Sequence, residues 1–203
     1  MEKIGRVCTG FSKPYVGLYQ ENGGVVTYTG GRRLARGVQV SLSLDTANEN
    51  NFYADNVVAE SENGTFAGGQ VKLTVDGLLQ DAENMIYGIP EAEEATYGET
   101  KVKISKYGKN AEVPYVGIGY ITRYQSRGVV TYVPTILKKA KFQMHGDEAK
   151  TQEENLDYQT QDLTADLSRD DSENADWKWV AEEQTSEAAA EAILQAILAP
   201  AAG

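Results

Sequence analysis

The chain holds a single histidine, His145, and a single cysteine, Cys8, and this scarcity sets a ceiling on its chemistry. A serine or cysteine triad needs a histidine base oriented by a third group. His145 sits at the end of a predicted strand, beside Gly146, and no nucleophile-elbow sequence accompanies it. A Cys8–His145 dyad has no local support. One thiol permits neither an intrachain disulfide nor a two-cysteine zinc site, and one His with one Cys is a poor transition-metal set. Neither common phosphate-binding glycine loop occurs. Asp170-Asp171-Ser172-Glu173-Asn174-Ala175-Asp176 has the composition of a calcium loop. It lacks the glycine and the closing glutamate that such a loop requires, so it reads as a solvated turn. Asn63-Gly64-Thr65 fits a glycosylation sequon, without consequence for a product expected to be soluble and made in the cytoplasm. No catalytic residue, cofactor or metal is expected; the chain reads as a non-enzyme.

Charge narrows the partners. The formal net charge is -11 over 203 residues, and from Gly146 onward fifteen carboxylates face three basic residues. Phosphate neutralisation requires clustered Lys and Arg, so an ordinary nucleic-acid-binding module is disfavoured. Lys101, Lys103, Lys106 and Lys109, with Tyr97 and Tyr107, resemble a nucleic-acid stripe in composition. Val102 and Ile104 alternate with those lysines, which is more simply a strand with one charged face, its lysines guarding against unwanted edge pairing. No apolar run has signal-peptide or membrane-spanning length.

The positioning elements are mostly strands. Period-2 alternation marks Val38–Leu44, Gln70–Val75, Lys139–Met144 and Leu163–Ser168. A first helix is predicted near 77–87, capped by Asp76, with an apolar face of Leu78, Leu79, Ala82, Met85 and Ile86, ended by Gly88 and Pro90. A second is predicted over 186–198, starting at Thr185 or Ser186, with Ala189, Ala192, Ile193, Ala196 and Ile197 as its buried stripe. Length is sufficient for one domain, and the expected class is mainly β with two short helices.

Two segments repeat in order. Pro14-Tyr15-Val16-Gly17-Leu18 recurs as Pro114-Tyr115-Val116-Gly117-Ile118, and Gly24-Val25-Val26-Thr27-Tyr28 recurs as Gly128-Val129-Val130-Thr131-Tyr132. Leu34-Ala35-Arg36 then corresponds to Leu137-Lys138-Lys139. This points to two hairpin-containing halves, 14–88 and 114–198, by duplication or convergent hairpin constraint. Between the predicted strands, Asp45–Gly69 reads as a long polar loop carrying Phe52 and Tyr53. Loops of this length are usually functional or disordered. Phe52, Tyr53, Ala54 and Asp55 are therefore candidates for an assembly contact.

Asn51-Phe52-Tyr53-Ala54-Asp55-Asn56, then Phe66-Ala67-Gly68-Gly69-Gln70-Val71, resembles the major tail protein family of long-tailed phages of Gram-positive bacteria. The likeness continues through Pro114–Tyr120, Leu137–Phe142, Glu154–Tyr158 and Asp176-Trp177-Lys178-Trp179, nearly the whole chain. The resemblance implies a tail-tube fold: an antiparallel β-sandwich or partly closed barrel flanked by a helix. It implies a structural virion protein, six subunits to a ring, with rings stacked into a hollow tube for genome passage. Its implied partners are further copies of itself, a tape-measure protein and genomic DNA in the lumen, and tail terminator and baseplate proteins; its location is the virion tail, without a membrane. Carboxylates are expected to outnumber basic side chains in the lumen, with Glu21 a candidate for the lining. The other readings are a related ring-forming tail or injection-machine tube component, and a β-sandwich adhesin or carbohydrate-binding module. Trp177 and Trp179, predicted to share one strand face, would serve the last.

Overall fold

A computed structural model describes residues 5–46, 65–90, 92–109, 111–146 and 159–200, and the backbone of 50–54 and 57–62. The elements run β1 (Val7–Asn22), β2 (Val25–Arg33), β3 (Gly37–Thr46), β4 (Asn50–Ala54), β5 (Val57–Glu62) and β6 (Phe66–Val75). They continue with α1 (Gln80–Ile86), β7 (Glu93–Tyr97), β8 (Thr100–Ile104), β9 (Tyr115–Ser126), β10 (Val129–Phe142), β11 (Gln161–Ser168), β12 (Lys178–Val180) and α2 (Glu187–Leu198).

An antiparallel eight-stranded sheet in the order β2-β1-β9-β10-β11-β6-β3, with β12 also on β10, carries the fold. It is not closed into a barrel: β3 comes near β1 without hydrogen-bonding to it. Between the curled halves lies the main core, with Val16, Val116 and Ile118 from one end of the sheet and Val71, Leu73 and Leu163 from the other. Ala82, Met85 and Ile86 of α1 complete it. On the opposite face of β1, β9 and β10, a second cluster joins Tyr15, Tyr28, Ile121 and Ile136 to Ala190, Leu194 and Leu198 of α2.

The strands at 66–75 and 161–168 follow the alternation read from the sequence; at 37–46 only Val40 and Leu42 pack on the core, while Val38, beside a register shift, and Leu44 are exposed. Residues 139–142 do not form a separate strand; they end the long strand β10, and Met144 lies past it, exposed. The stretch 45–69 is not an open loop. Asp45 and Thr46 finish β3, residues 66–69 begin β6, and β4 and β5 pair between them as a hairpin.

Both helices sit where expected but differ in detail. Asp76 does not cap α1. Its carboxylate instead accepts from the Arg36 backbone N–H and guanidinium, and Leu79, the N-cap residue, is exposed. Ser186 does cap α2, accepting from the Ala189 N–H at 3.2 Å. The buried stripe of α2 is Ala190, Leu194 and Leu198, while Ala192 and Ala196 are exposed. The helix turns its leucines inward because Leu194 and Leu198 fit over bare glycine backbone on β1, β2 and β9. The two helices belong to different clusters on opposite faces, so they do not occupy related positions.

Candidate functional site

The repeated segments meet. Strands β1 and β9 pair antiparallel with Gly17 opposite Gly117, Val16 opposite Ile118, and Leu18 opposite Val116. Each residue thus faces the repeat-mate of its mirror neighbour, the register of a pseudo-two-fold axis passing between Gly17 and Gly117. Strands β2 and β10 flank this pair on either side. The two hairpins therefore build a four-stranded sheet, β2-β1-β9-β10, from two copies of one motif. The second hairpin is longer: Leu18 pairs with Thr29, whereas Ile118 pairs with Leu137. Structurally, Leu137 therefore matches Thr29 and not Leu34, which lies beyond β2.

Turn chemistry fixes the register. Gly23 and Gly24 have φ of 61° and 81°, and Arg127 and Gly128 have φ of 48° and 83°. Two successive positive φ values are what the tight turn matching strand twist demands. The glycines at the axis have a different purpose. A Cβ on Gly17 would stand 2.4 Å from the Leu198 carbonyl oxygen, and one on Gly117 would stand 2.4 Å from the Tyr28 ring. Gly31 and Gly119 likewise sit under Leu198. Bare backbone at these four positions gives α2 its seat.

The free groups lie at the edges and tips. Among the described residues β2 has no partner on its outer side. The outer side of β10 is covered at Tyr132 by Gln184, at Thr135–Leu137 by β12, and at Lys139–Phe142 by β11, leaving Val129–Thr131 open. Val25 and Val129, beside the two turns, are more than 60% exposed. Glu21 is exposed at the first tip, where it accepts from the Gly24 N–H at 2.7 Å. It is the only carboxylate in β1, β2, β9 and β10. Phe52, Tyr53 and Ala54 lie on β4, with Phe52 opposite Glu60 and Tyr53 opposite Val58. Asp55 falls outside the described residues.

Behind the sheet, a buried charge cluster ties the C-terminal segment to β10. Lys138 and Asp170 are both buried, with Nζ 3.3 Å from Oδ2, and the Lys138 ammonium lies 3.3 Å from the centre of the Trp179 ring. Asp170 Oδ1 accepts from the Ser172 N–H and hydroxyl. The segment read as a solvated turn thus begins with a buried anion. Nothing in the local sequence marks this pair; Lys138 looks like any lysine in a strand. Tyr28 donates to the Lys138 carbonyl at 2.7 Å, and burial raises its pKa, keeping it a donor. Burial pushes Tyr19 up to about 12; the Asp171 backbone N–H works against this and the Asp171 carboxylate adds to it. Trp177 and Trp179 part company: Trp177 stacks on Phe66 at 4.5 Å, whereas Trp179 is 42% exposed.

The one histidine and one cysteine have separate surroundings. His145 Nδ1 bonds the Tyr87 hydroxyl, and Cys8 is exposed on β1. No cluster of three or more metal-ligating side chains occurs among the described residues. Among the described residues no helix is long and apolar enough to cross a membrane. Comparison with protein-family models and with curated proteins finds no match.

Proposed function

We propose that this chain is the repeating subunit of a phage tail tube, forming hexameric rings that stack into a hollow tube for genome passage. The observation that carries the reading is the four-stranded sheet made from two copies of one hairpin about the Gly17–Gly117 axis. Such a sheet, open at β2 and at the tip of β10, is a unit that repeats around a ring until its edges are consumed. Helix α2 backs the sheet and leaves the hairpin tips clear. Tape-measure protein and DNA would occupy the lumen, with terminator and baseplate proteins at the ends. The hairpin strands bring Glu21 alone as a carboxylate, so an acidic lining must draw on the connections between strands.

Electron microscopy of the purified chain tests this: hollow tubes or stacked rings are expected, and a monodisperse monomer at high concentration would refute it. Within the proposal, Phe52 and Tyr53 on the β4–β5 hairpin are the apolar anchors for a neighbouring subunit or ring, since interface energy concentrates in aromatics. Phe52→Ala with Tyr53→Ala should leave a folded subunit that does not polymerise. Normal tubes from that double variant would remove this hairpin from the interface.

A further inference from the structure

A second hairpin, β7–β8, stands apart from the main sheet: its strands pair only with each other, and both outer edges are open among the described residues. A lone two-stranded hairpin is marginal in water. The register puts Glu93, Ala95 and Tyr97 opposite Ile104, Val102 and Thr100, and Glu94 and Thr96 opposite Lys103 and Lys101. One face is therefore largely apolar and the other charged. On the apolar face Tyr97 is 65% and Val102 38% exposed, uncovered by the other described residues.

Charge is sorted by strand. The charged residues of β7 are Glu93 and Glu94, with Glu99 in the turn; those of β8 are Lys101 and Lys103, followed by Lys106. Within the hairpin, Lys101 pairs with Glu94 at 3.0 Å and Lys106 with Glu93. All four side chains are more than half exposed, so these pairs are weak and each carboxylate can accept from a further donor.

We infer that β7–β8 is a directional contact between copies of this chain, with the lysine strand β8 of one copy adding to the glutamate strand β7 of the next. A two-fold contact would pair β7 with β7, gathering four carboxylates on adjoining strands with no base between them, or β8 with β8, where antiparallel pairing about Val102 sets Lys101 against Lys103, and like charges on neighbouring strands repel. The lysines that guard β8 against pairing with itself do not guard it against an acidic edge. The sorting of charge thus selects the heterologous arrangement, which closes into a ring or runs on as a filament. Pairing in that sense also continues the apolar face, so Tyr97 and Val102 of successive copies cover one another. This rests on the self-assembly reading above and gives it a surface and a polarity.

The test uses the full chain with Cys8→Ser, which removes its only thiol. One variant carries Ala95→Cys on β7, a second Thr100→Cys on β8, and both are treated with a short bismaleimide separately and mixed. A shift from monomer to dimer is expected in the mixture and in neither variant alone. A dimer from either variant alone would establish a two-fold contact and overturn the inference. So would the lack of a dimer in a mixture that electron microscopy shows to be assembled, leaving the tube reading intact. A dimer in the mixture from particles that are not tubes would uphold the directional contact and refute the tube.

Discussion

Replacing Gly31 with alanine should unseat α2. The new Cβ would lie 1.9 Å from the Leu198 carbonyl oxygen and 2.7 Å from the Ala199 Cα, far inside contact distance. Both obstacles are backbone, so no rotamer change relieves them; the last turn of the helix must lift. Lifting it exposes Leu198, fully buried here, at about 1.5–3 kcal/mol for a side chain of that kind. Alanine also narrows the unfolded ensemble, which returns about 0.4–1 kcal/mol. The net expectation is a loss of about 0.5–2.6 kcal/mol, or about 1–10 °C in Tm for a chain of this length. Gly119→Ala is the internal comparison, because its Cβ meets the movable tips of Leu198 and Leu194 at 2.6 and 3.0 Å. It should cost less than Gly31→Ala. Leu198→Ala should rescue part of the Gly119→Ala loss while leaving Gly31→Ala unrelieved. Urea unfolding of the three single variants and the two doubles with Leu198→Ala gives the coupling directly. A Gly31→Ala protein as stable as the parent would refute the placement of α2 on this glycine floor.

Lys138→Met should cost about 3–5 kcal/mol in urea unfolding, because it strands the buried Asp170 carboxylate, and adding Asp170→Asn should recover part of that loss. On the acid side, the Lys72 ammonium and Thr74 hydroxyl hold Asp162 below the usual carboxylate range, as the Lys139 ammonium and Tyr19 hydroxyl do for Asp171. Their folded-state pKa values are depressed, so their contribution is complete above the unfolded value of about 4 and is lost as pH falls through the folded values. Lys72→Met and Lys139→Met should each flatten the stability-versus-pH curve below about pH 4 and leave the slope near neutrality unchanged. Val25→Lys with Val129→Lys should leave the unfolding midpoint within about 0.5 kcal/mol of the parent, since both valines are solvent-exposed, yet block assembly seen by sedimentation.

What the sequence reveals follows from which physical constraints are local. The two hairpins are legible because each is set by neighbours in the chain: a positive-φ turn at Gly23-Gly24 or Arg127-Gly128, followed at once by the strand-forming run Val25-Val26-Thr27-Tyr28 or Val129-Val130-Thr131-Tyr132. Ser186 is legible as a cap for the same reason. The buried stripe of α2 is not. Its alanines, isoleucines and leucines are apolar almost all round, and the choice among faces is made by Gly17, Gly31, Gly117 and Gly119 on distant strands. Asp76 is similar: its sequence position suits a cap, but Arg36, brought alongside by the β3–β6 pairing, takes its carboxylate. The Lys138–Asp170 pair is invisible because neither residue has a local signal, and burial is a property of the packed sheet.

The same division separates what the repeat explains from what it does not. Gly17 and Gly117 stand out in the sequence as repeat-mates, but the sequence does not say that they face each other. Only the register makes them the two sides of one axis. Once they meet there, the pseudo-two-fold treats the two halves alike only as far as the hairpins reach. The outer strands break it: β2 is open, whereas β10 is covered along most of its length by β11, β12 and Gln184. A sheet whose two edges differ has a direction. The β7–β8 hairpin has one too, in the opposite charges of its strands. Two independent directional edges in one chain favour head-to-tail assembly over a closed two-fold dimer, which would bury one edge and leave the other unpaired.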